Sequence, residues 1–126
     1  MKYLIDTNVW IDAVSGRLPA DDFLHLVLQA QWSGFSAITR LELFGFPGLV
    51  DEEELKLSSL LSLFAEADVT AAIIDRAIAI RKQKKIKVPD AIIAATALVK
   101  NCVLLTRNTD DFLNIQSLTV VNPHIR

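Results

Sequence analysis

Short apolar runs alternate along the chain with longer segments in which apolar residues recur at helical spacing. The runs at residues 2–6, 34–38 and 102–106 are mostly apolar, which is typical of strands buried on both faces of a parallel sheet. Residues 67–69 and 118–121 predict two further short strands. Between the strands, capping and turn residues predict six helices, which begin near residues 8, 19, 39, 51, 70 and 89.

Strands that alternate with helices predict an α/β fold of three layers. A central, mostly parallel sheet of four to five strands would be flanked by helices on both faces. The length of 126 residues suits one domain that spans residues 1–126. Hydrophobic residues make up 52% of the chain, so a substantial core is available.

Composition and charge bear on the cellular location of the protein and on its contact with nucleic acid. No run is long and apolar enough to span a membrane, the N-terminus lacks the apolar region of a signal peptide, and the single Cys102 excludes an internal disulfide. These features predict a cytoplasmic location. The formal net charge of −2 means that any contact with nucleic acid must use a local basic patch. The basic run at residues 81–87 is one such patch, although the solvated end of a helix also explains it.

Four carboxylates lie at the edges of apolar segments, and they carry the candidate chemistry. Asp6 ends the first strand, Asp111 follows the strand at residues 102–106, and Glu42 and Asp90 fall on the first turns of predicted helices. Because the carboxyl ends of parallel strands and the helices that follow them meet at one edge of the sheet, we expect these acids to converge. Their mutual repulsion should raise the pKa of at least one carboxyl group.

An acidic cluster of this kind suits a hard divalent cation such as Mg²⁺ or Mn²⁺, which prefers oxygen ligands. A bound cation lowers the pKa of a coordinated water and neutralises charge on a phosphodiester, so the cluster suits phosphodiester hydrolysis. Structural explanations stay open for individual acids. Glu42 with Thr39 fits a capping box, Asp90 fits a helix start, and Asp111 is explained as a surface acid beside a core phenylalanine.

The four acids lie in four short motifs. They are Ile5-Asp6-Thr7-Asn8-Val9, Thr39-Arg40-Leu41-Glu42-Leu43, Val88-Pro89-Asp90-Ala91-Ile92-Ile93-Ala94-Ala95-Thr96-Ala97, and Leu105-Thr106-Arg107-Asn108 followed by Asp111-Phe112. In these motifs and their order, the sequence resembles the PIN-domain ribonucleases, specifically the VapC-type toxins of bacterial toxin–antitoxin pairs. The resemblance covers nearly the whole chain. It implies a PIN-like fold, a Mg²⁺-dependent endoribonuclease, a homodimer, and an antitoxin whose apolar segment wraps the helices of the toxin.

The resemblance also implies roles for individual residues. Asp6 and Asp90 match the best-supported metal ligands of the family, and Glu42 and Asp111 complete its acidic cluster. The supporting polar groups of the site are matched by Thr7, Asn8 and Thr106.

The fourth acid is the least certain match. Many relatives carry Asp where this chain has Asn108, so Asp111 is the choice for the fourth acid, while Asp110 and Asn108 stay open. Arg40 and Arg107 flank motif acids, and we expect them to contact RNA or to pair with the cluster.

The sequence therefore predicts a cytoplasmic, Mg²⁺-dependent endoribonuclease that acts as a toxin, with RNA as substrate and an antitoxin as partner. The alternative is a non-catalytic PIN-like module that binds RNA or a protein. A phosphatase that forms a phospho-aspartate would need a second aspartate two residues after Asp6, where this chain has Asn8.

Overall fold

A computed structural model of the protein describes residues 1–18 and 20–124, and of residues 20–22 it describes the backbone alone. Its strands are β1 (Lys2–Ile5), β2 (Trp32–Ser36), β3 (Ala65–Ala67), β4 (Val103–Leu105) and β5 (Val120–Val121). They form one sheet in the order β3-β2-β1-β4-β5, and every neighbouring pair is parallel. Strand β1 lies at the centre of the sheet, so the residue that follows β1 leaves from the middle of its carboxyl edge.

Among the described residues, six α-helices connect the strands. They are α1 (Thr7–Ser15), α2 (Ala20–Leu28), α3 (Ala37–Phe44), α4 (Asp51–Leu61), α5 (Ala71–Gln83) and α6 (Val88–Lys100), and a 3₁₀-helix covers Thr109–Phe112. The predicted start of the second helix, Pro19, lies outside the described residues. Helix α1 ends at Gly16, as the sequence predicts, and Gly16 has a φ of 80°, in the left-handed region that favours glycine.

Two apolar layers enclose the sheet, one on each face. Because side chains alternate along a strand, Leu4 packs into the layer with α5 and α6, whereas its neighbours Tyr3 and Ile5 pack into the layer with α1 and α4. Leu104 and Leu105 divide between the same two layers. The three-layer α/β architecture with a five-stranded parallel sheet is therefore confirmed.

Several predicted boundaries are wrong by two or three residues. The second strand ends at Ser36 rather than at residue 38, because the chain turns into α3 there, and the third strand occupies Ala65–Ala67 rather than residues 67–69. Thr70 caps α5 as predicted, since its Oγ1 accepts a hydrogen bond from the backbone N–H of Ile73 at 3.3 Å.

Helix α6 is buried along most of its length. Seven consecutive residues, from 91 to 97, are buried, and four of them are alanines whose small side chains let the helix lie close to the sheet. Its first turn, which carries Asp90, is thereby fixed against the carboxyl edge. Within the described part of the chain, no helix combines the length and the hydropathy needed to cross a membrane.

Candidate active site

Asp6 lies at the junction of β1 and α1 and is almost fully buried, with 4% of its surface exposed. It is the N-cap of α1, because its Oδ1 accepts a hydrogen bond from the backbone N–H of Thr7 at 2.8 Å. Its Oδ2 accepts from the hydroxyl of Thr106 at 2.8 Å and from the amide of Asn8 at 3.1 Å. Three of the predicted polar residues therefore surround and orient this one carboxylate.

Burial raises the pKa of Asp6 above its ordinary value, and the negative charge of Glu42 raises the pKa further. The hydrogen bonds from Thr106, Thr7 and Asn8 act in the opposite direction, because they stabilise the ionised form. The three donors thus partly offset the cost of burying a charge at the centre of the sheet edge.

Asp90 lies on the first turn of α6, two residues after the helix begins. Burial raises the pKa of Asp90 to about 6, and the negative charges of Asp6, Asp111 and Glu42 contribute to the increase in that order, while Lys87 opposes it. Among the described residues, no hydrogen-bond donor contributes to the pKa of Asp90, in contrast to Asp6. Asp90 therefore lacks the hydrogen bonds that partly compensate for the burial of Asp6.

Glu42 occupies a different place in its helix from the one that the capping box predicts. Helix α3 begins at Ala37, and Ser36 caps it by accepting a hydrogen bond from the backbone N–H of Ile38 at 3.2 Å. Glu42 therefore lies on the second turn, too far along to bond the N-cap. The capping-box interpretation of Thr39 and Glu42 is wrong.

The hydroxyl of Thr7 joins Glu42 to the rest of the site. Thr7 Oγ1 lies 2.8 Å from Glu42 Oε1 and 3.0 Å from the hydroxyl of Thr39. Because a hydroxyl carries one proton, the consistent arrangement has Thr39 donating to Thr7 and Thr7 donating to Glu42. Thr39 is fully buried, so its part is to hold Thr7 in place and not to cap the helix.

The segment after β4 supplies the fourth predicted acid. Asp111 lies in the 3₁₀-helix that the buried Phe112 anchors, and its charge raises the pKa of Asp90. Asp110 is not among the groups that affect the pKa of Asp90, although it lines the same cleft. The backbone N–H of Asn108 donates to Thr106 Oγ1 at 3.1 Å. This placement favours Asp111 over Asp110, and the role of each stays a prediction.

An ion pair between a buried aspartate and an exposed arginine escaped the sequence-based prediction. Nη1 of Arg107 lies 3.0 Å and 2.9 Å from the two carboxylate oxygens of Asp12, which is 1% exposed, and Arg17 Nη1 lies 3.6 Å from the same carboxylate. The backbone N–H of Arg107 donates to Asn8 Oδ1 at 3.0 Å. Asp12 thereby holds the segment that carries Thr106. The sequence carries a signal for this pair, because Asp12 is an acid within an apolar helical stretch, where a buried charge needs a partner.

His124 also approaches Asp12. Its Nε2 lies 2.9 Å from Asp12 Oδ2, yet the ring nitrogen has no properly directed hydrogen-bond partner among the described residues. The contact is therefore an ion pair only when the imidazole is protonated.

Arg40 does not pair with the acidic cluster. Its guanidinium bonds the carboxylate of Glu66 on β3, with Nη2 3.2 Å from Oε2. The prediction that Arg40 or Arg107 pairs with the cluster is wrong, because each has another carboxylate as its partner. Contact of either arginine with RNA stays a prediction.

The donor chemistry of the site fits Mg²⁺ or Mn²⁺ in a water-rich form. No group of three or more acidic, histidine or cysteine side chains in residues 1–18 and 23–124 is placed closely enough to hold an ion by itself. Mg²⁺ commonly retains several waters and binds through one or two carboxylates, with substrate phosphates as further ligands. Asp6 and Asp90 fit that pattern, and the uncompensated charge around Asp90 is what a cation would neutralise.

Comparisons with known proteins agree with this geometry. A family model described as PIN domain matches residues 3–118. No curated protein sequence gives a significant match. A toxin–antitoxin complex from Klebsiella pneumoniae contains a chain that is 37% identical, with a TM-score of 0.79, over 96% of this chain and 97% of that one.

Two further solved structures are similar over almost the whole chain. VapBC2 from Rickettsia felis, bound to a DNA fragment from its promoter, is 25% identical with a TM-score of 0.85, over 97% of this chain and 98% of that one. FitAcB from Neisseria gonorrhoeae is 27% identical with a TM-score of 0.74, over 96% and 97%. The family resemblance carried by the four motifs is confirmed.

Proposed function

Because this chain belongs to the PIN-domain family, we propose that it is a metal-dependent endoribonuclease and the toxin of a toxin–antitoxin pair. The observation that supports the proposal most is the state of Asp90. Burial and then the charges of three other carboxylates raise its pKa to about 6, and no hydrogen-bond donor in the described part of the chain compensates for them. A site that concentrates negative charge at the carboxyl edge of a parallel sheet suits a divalent cation and a phosphodiester substrate.

In the proposed reaction, Asp6 and Asp90 would hold Mg²⁺ or Mn²⁺, and Glu42 and Asp111 would complete the acidic cluster around the cation. The cation, when bound, would supply a coordinated water of lowered pKa and positive charge beside the scissile phosphate. The hydroxyl of Thr106 orients Asp6 and lowers its pKa, which partly offsets the effect of burial.

Supporting residues set the positions of the acids in advance. Thr7 orients the exposed carboxylate of Glu42, and Asn8 joins Asp6 to the backbone of Arg107. Asn108 follows Arg107 directly and contributes an uncharged amide side chain. Because these contacts exist in the free protein, the site does not have to rearrange its buried carboxylate when it binds substrate.

The proposal includes an antitoxin partner and a cytoplasmic location. The similar structures include toxin–antitoxin complexes, and an apolar groove of about 410 Å³ lies between α1, α3 and α4. Glu42 stands at its edge, and its apolar lining includes Ile11, Val14, Phe46, Leu49 and Leu57. An apolar antitoxin segment in this groove would pass beside the acidic site.

We also propose a homodimer. Ile74 and Ile78 lie one turn apart on α5, and they are 40% and 49% exposed. An exposed apolar pair on a helix suits contact with a second copy of the chain.

One observation favours a second candidate function, a PIN-like module that binds RNA or protein without cleaving it. The acids in the described part of the chain do not form a complete cage for a metal, and Asn108 replaces a charged residue of many relatives. Cleavage assays separate the two functions.

The test is incubation of the protein with total RNA, with Mg²⁺ or with EDTA, followed by mapping of the cut ends. We expect cleavage by the wild type with Mg²⁺ and none by Asp90→Asn. The control Asp75→Asn removes one carboxylate from the exposed surface of α5 and should cleave like the wild type. Mg²⁺-independent cleavage, or equal cleavage by Asp90→Asn, would contradict the proposed mechanism. Binding of RNA without cleavage would favour the second candidate.

A further inference from the structure

The two arginines that the sequence marks for RNA contact are both engaged elsewhere. Arg107 bonds both oxygens of the buried Asp12, and Arg40 bonds Glu66. Release of Arg107 would leave a carboxylate buried without its main partner, which is costly. Cations that no carboxylate holds are therefore better placed to meet the substrate.

A cleft of about 510 Å³ opens beside Asp90, and its lining carries both signs of charge. The acidic lining residues are Asp90, Asp110 and Asp111. The basic lining residues, which we call the basic wall, are Arg81, Lys84, Lys85 and Lys87 at the end of α5 and in the connection to α6. The volume falls within the range of about 300–1,000 Å³ that is usual for ligand sites.

The basic wall rests on a fixed connection between the two helices. Arg81 Nε donates to the backbone carbonyl of Ile86 at 3.1 Å, and Ile86 is buried in the core layer below α6. Arg81 thus has a structural partner. The connection that carries the three lysines is held at both its helical end and its buried isoleucine.

The three lysines lack a carboxylate partner in the described part of the chain, where none of Lys84, Lys85 and Lys87 forms a salt bridge. Lys85 and Lys87 are exposed and Lys84 is half-buried, so their charges face the cleft or solvent. Lys87 lies near enough to Asp90 to oppose the increase in its pKa.

We propose that Lys84, Lys85 and Lys87 bind the backbone phosphates of the RNA strand on one side of the scissile phosphate. The inference rests on the proposed nuclease function and identifies where its substrate lies. The protein has a net charge of −2, so it has no general attraction for RNA, and a local row of cations beside the acids supplies that attraction. Because the cations of the basic wall lie at the end of α5 and in the connection to α6, the RNA strand would approach the acids from that side.

The test compares two double variants that each remove two positive charges. Lys84→Gln/Lys85→Gln alters the basic wall and leaves Lys87, which acts on Asp90. The control Lys2→Gln/Lys100→Gln removes two charges near Cys102, from the start of β1 and the end of α6, remote from Asp90. Melting temperatures verify that both variants fold.

Binding of a fluorescent single-stranded RNA of mixed sequence is measured in EDTA over a range of salt concentrations. We expect the wall variant to bind more weakly and to lower the slope of log affinity against log salt by about 1.4, or about 0.7 for each phosphate that a lysine no longer neutralises. In Mg²⁺, its KM for RNA should rise while kcat changes little. The control should retain the wild-type slope and KM.

Equal slopes and KM values for the two double variants, with cleavage by the wild type intact, would overturn this proposal and leave the nuclease function standing. Absence of both RNA binding and cleavage in the wild type would overturn the nuclease function together with this inference.

Discussion

Replacement of Asp90 by asparagine should make the metal-free protein more stable at neutral pH. The folded state raises the pKa of Asp90 from 3.8 to about 6, so it binds the proton of this carboxyl group more tightly than the unfolded state does. The stability that this group contributes is fully present below about pH 3.8 and is lost as the pH rises through about 6. At pH 7.5 the ionised carboxylate destabilises the folded state, and Asp90→Asn removes this destabilisation.

The magnitude follows from the size of this increase in pKa. An increase from 3.8 to about 6 corresponds to about 3 kcal/mol, and partial exposure of Asp90 to solvent reduces this to about 1–2 kcal/mol. The dipole of α6 favours a carboxylate on its first turn by about 0.3–1 kcal/mol, which acts in the opposite direction. The effect of repulsion and burial should exceed that of the helix dipole. Asp90→Asn should therefore be more stable by about 1 kcal/mol, or roughly 4 °C in Tm for a chain of this size.

Thermal unfolding in EDTA at pH 4 and at pH 7.5 measures the effect. The variant should melt higher than the wild type at pH 7.5, and most of this difference in Tm should be lost at pH 4, where Asp90 of the folded wild type is protonated. Added Mg²⁺ should narrow the difference, because the cation stabilises only the wild-type cluster. Asp75→Asn, on an exposed surface, should change Tm little. A lower Tm for Asp90→Asn at pH 7.5 would refute the electrostatic reasoning.

Three further substitutions probe two ion pairs and the hydroxyl that bonds Asp6. Asp12→Asn should lower the free energy of unfolding by about 2 kcal/mol, because Asp12 bonds Arg107 through both carboxylate oxygens. Denaturant unfolding measures this loss, and it should be smaller for the control Glu66→Gln, which alters the exposed pair with Arg40. Thr106→Val should raise the pKa of Asp6, because the Thr106 hydroxyl lowers it. The acidic limb of the pH–rate profile should then move to higher pH, and an unchanged limb would contradict that role.

The sequence predicts the sheet and its acidic edge well because both depend on local patterns. Apolar runs mark the three central strands, and Asp6 follows the first of them directly. Proline near the start of α6 and an alanine-rich helix place Asp90 on a buried helix start. Once the strands are parallel, the meeting of these acids at one edge follows from topology alone.

The errors arise where two local signals compete or where the partner is remote in sequence. Ser36 and Thr39 can both cap a helix, and only the pairing of β2 with its neighbours decides that the strand ends at Ser36. The edge strand β3 contains alanine and glutamate and lacks a β-branched residue, so propensity shifted its prediction toward Val69.

The Asp12–Arg107 pair joins residues 95 positions apart. Periodicity identifies Asp12 as an acid that needs a partner, but it does not identify that partner. The same limit applies to Arg40, whose partner Glu66 lies on a strand that the sequence placed incorrectly. Contacts of this kind depend on the assembled sheet, and they decide which cations remain for the substrate.

The central claim is that the acids at the carboxyl edge form a site that binds a divalent cation. The position of bound Mn²⁺ tests this claim most directly. Crystals soaked in millimolar Mn²⁺ would be examined by anomalous diffraction, for the wild type and for Asp90→Asn. The account predicts a peak in contact with Asp6 or Asp90 in the wild type, and its loss in the variant. Mn²⁺ bound only elsewhere, for example at the exposed acids of α4, or a peak that persists in Asp90→Asn, would contradict the account.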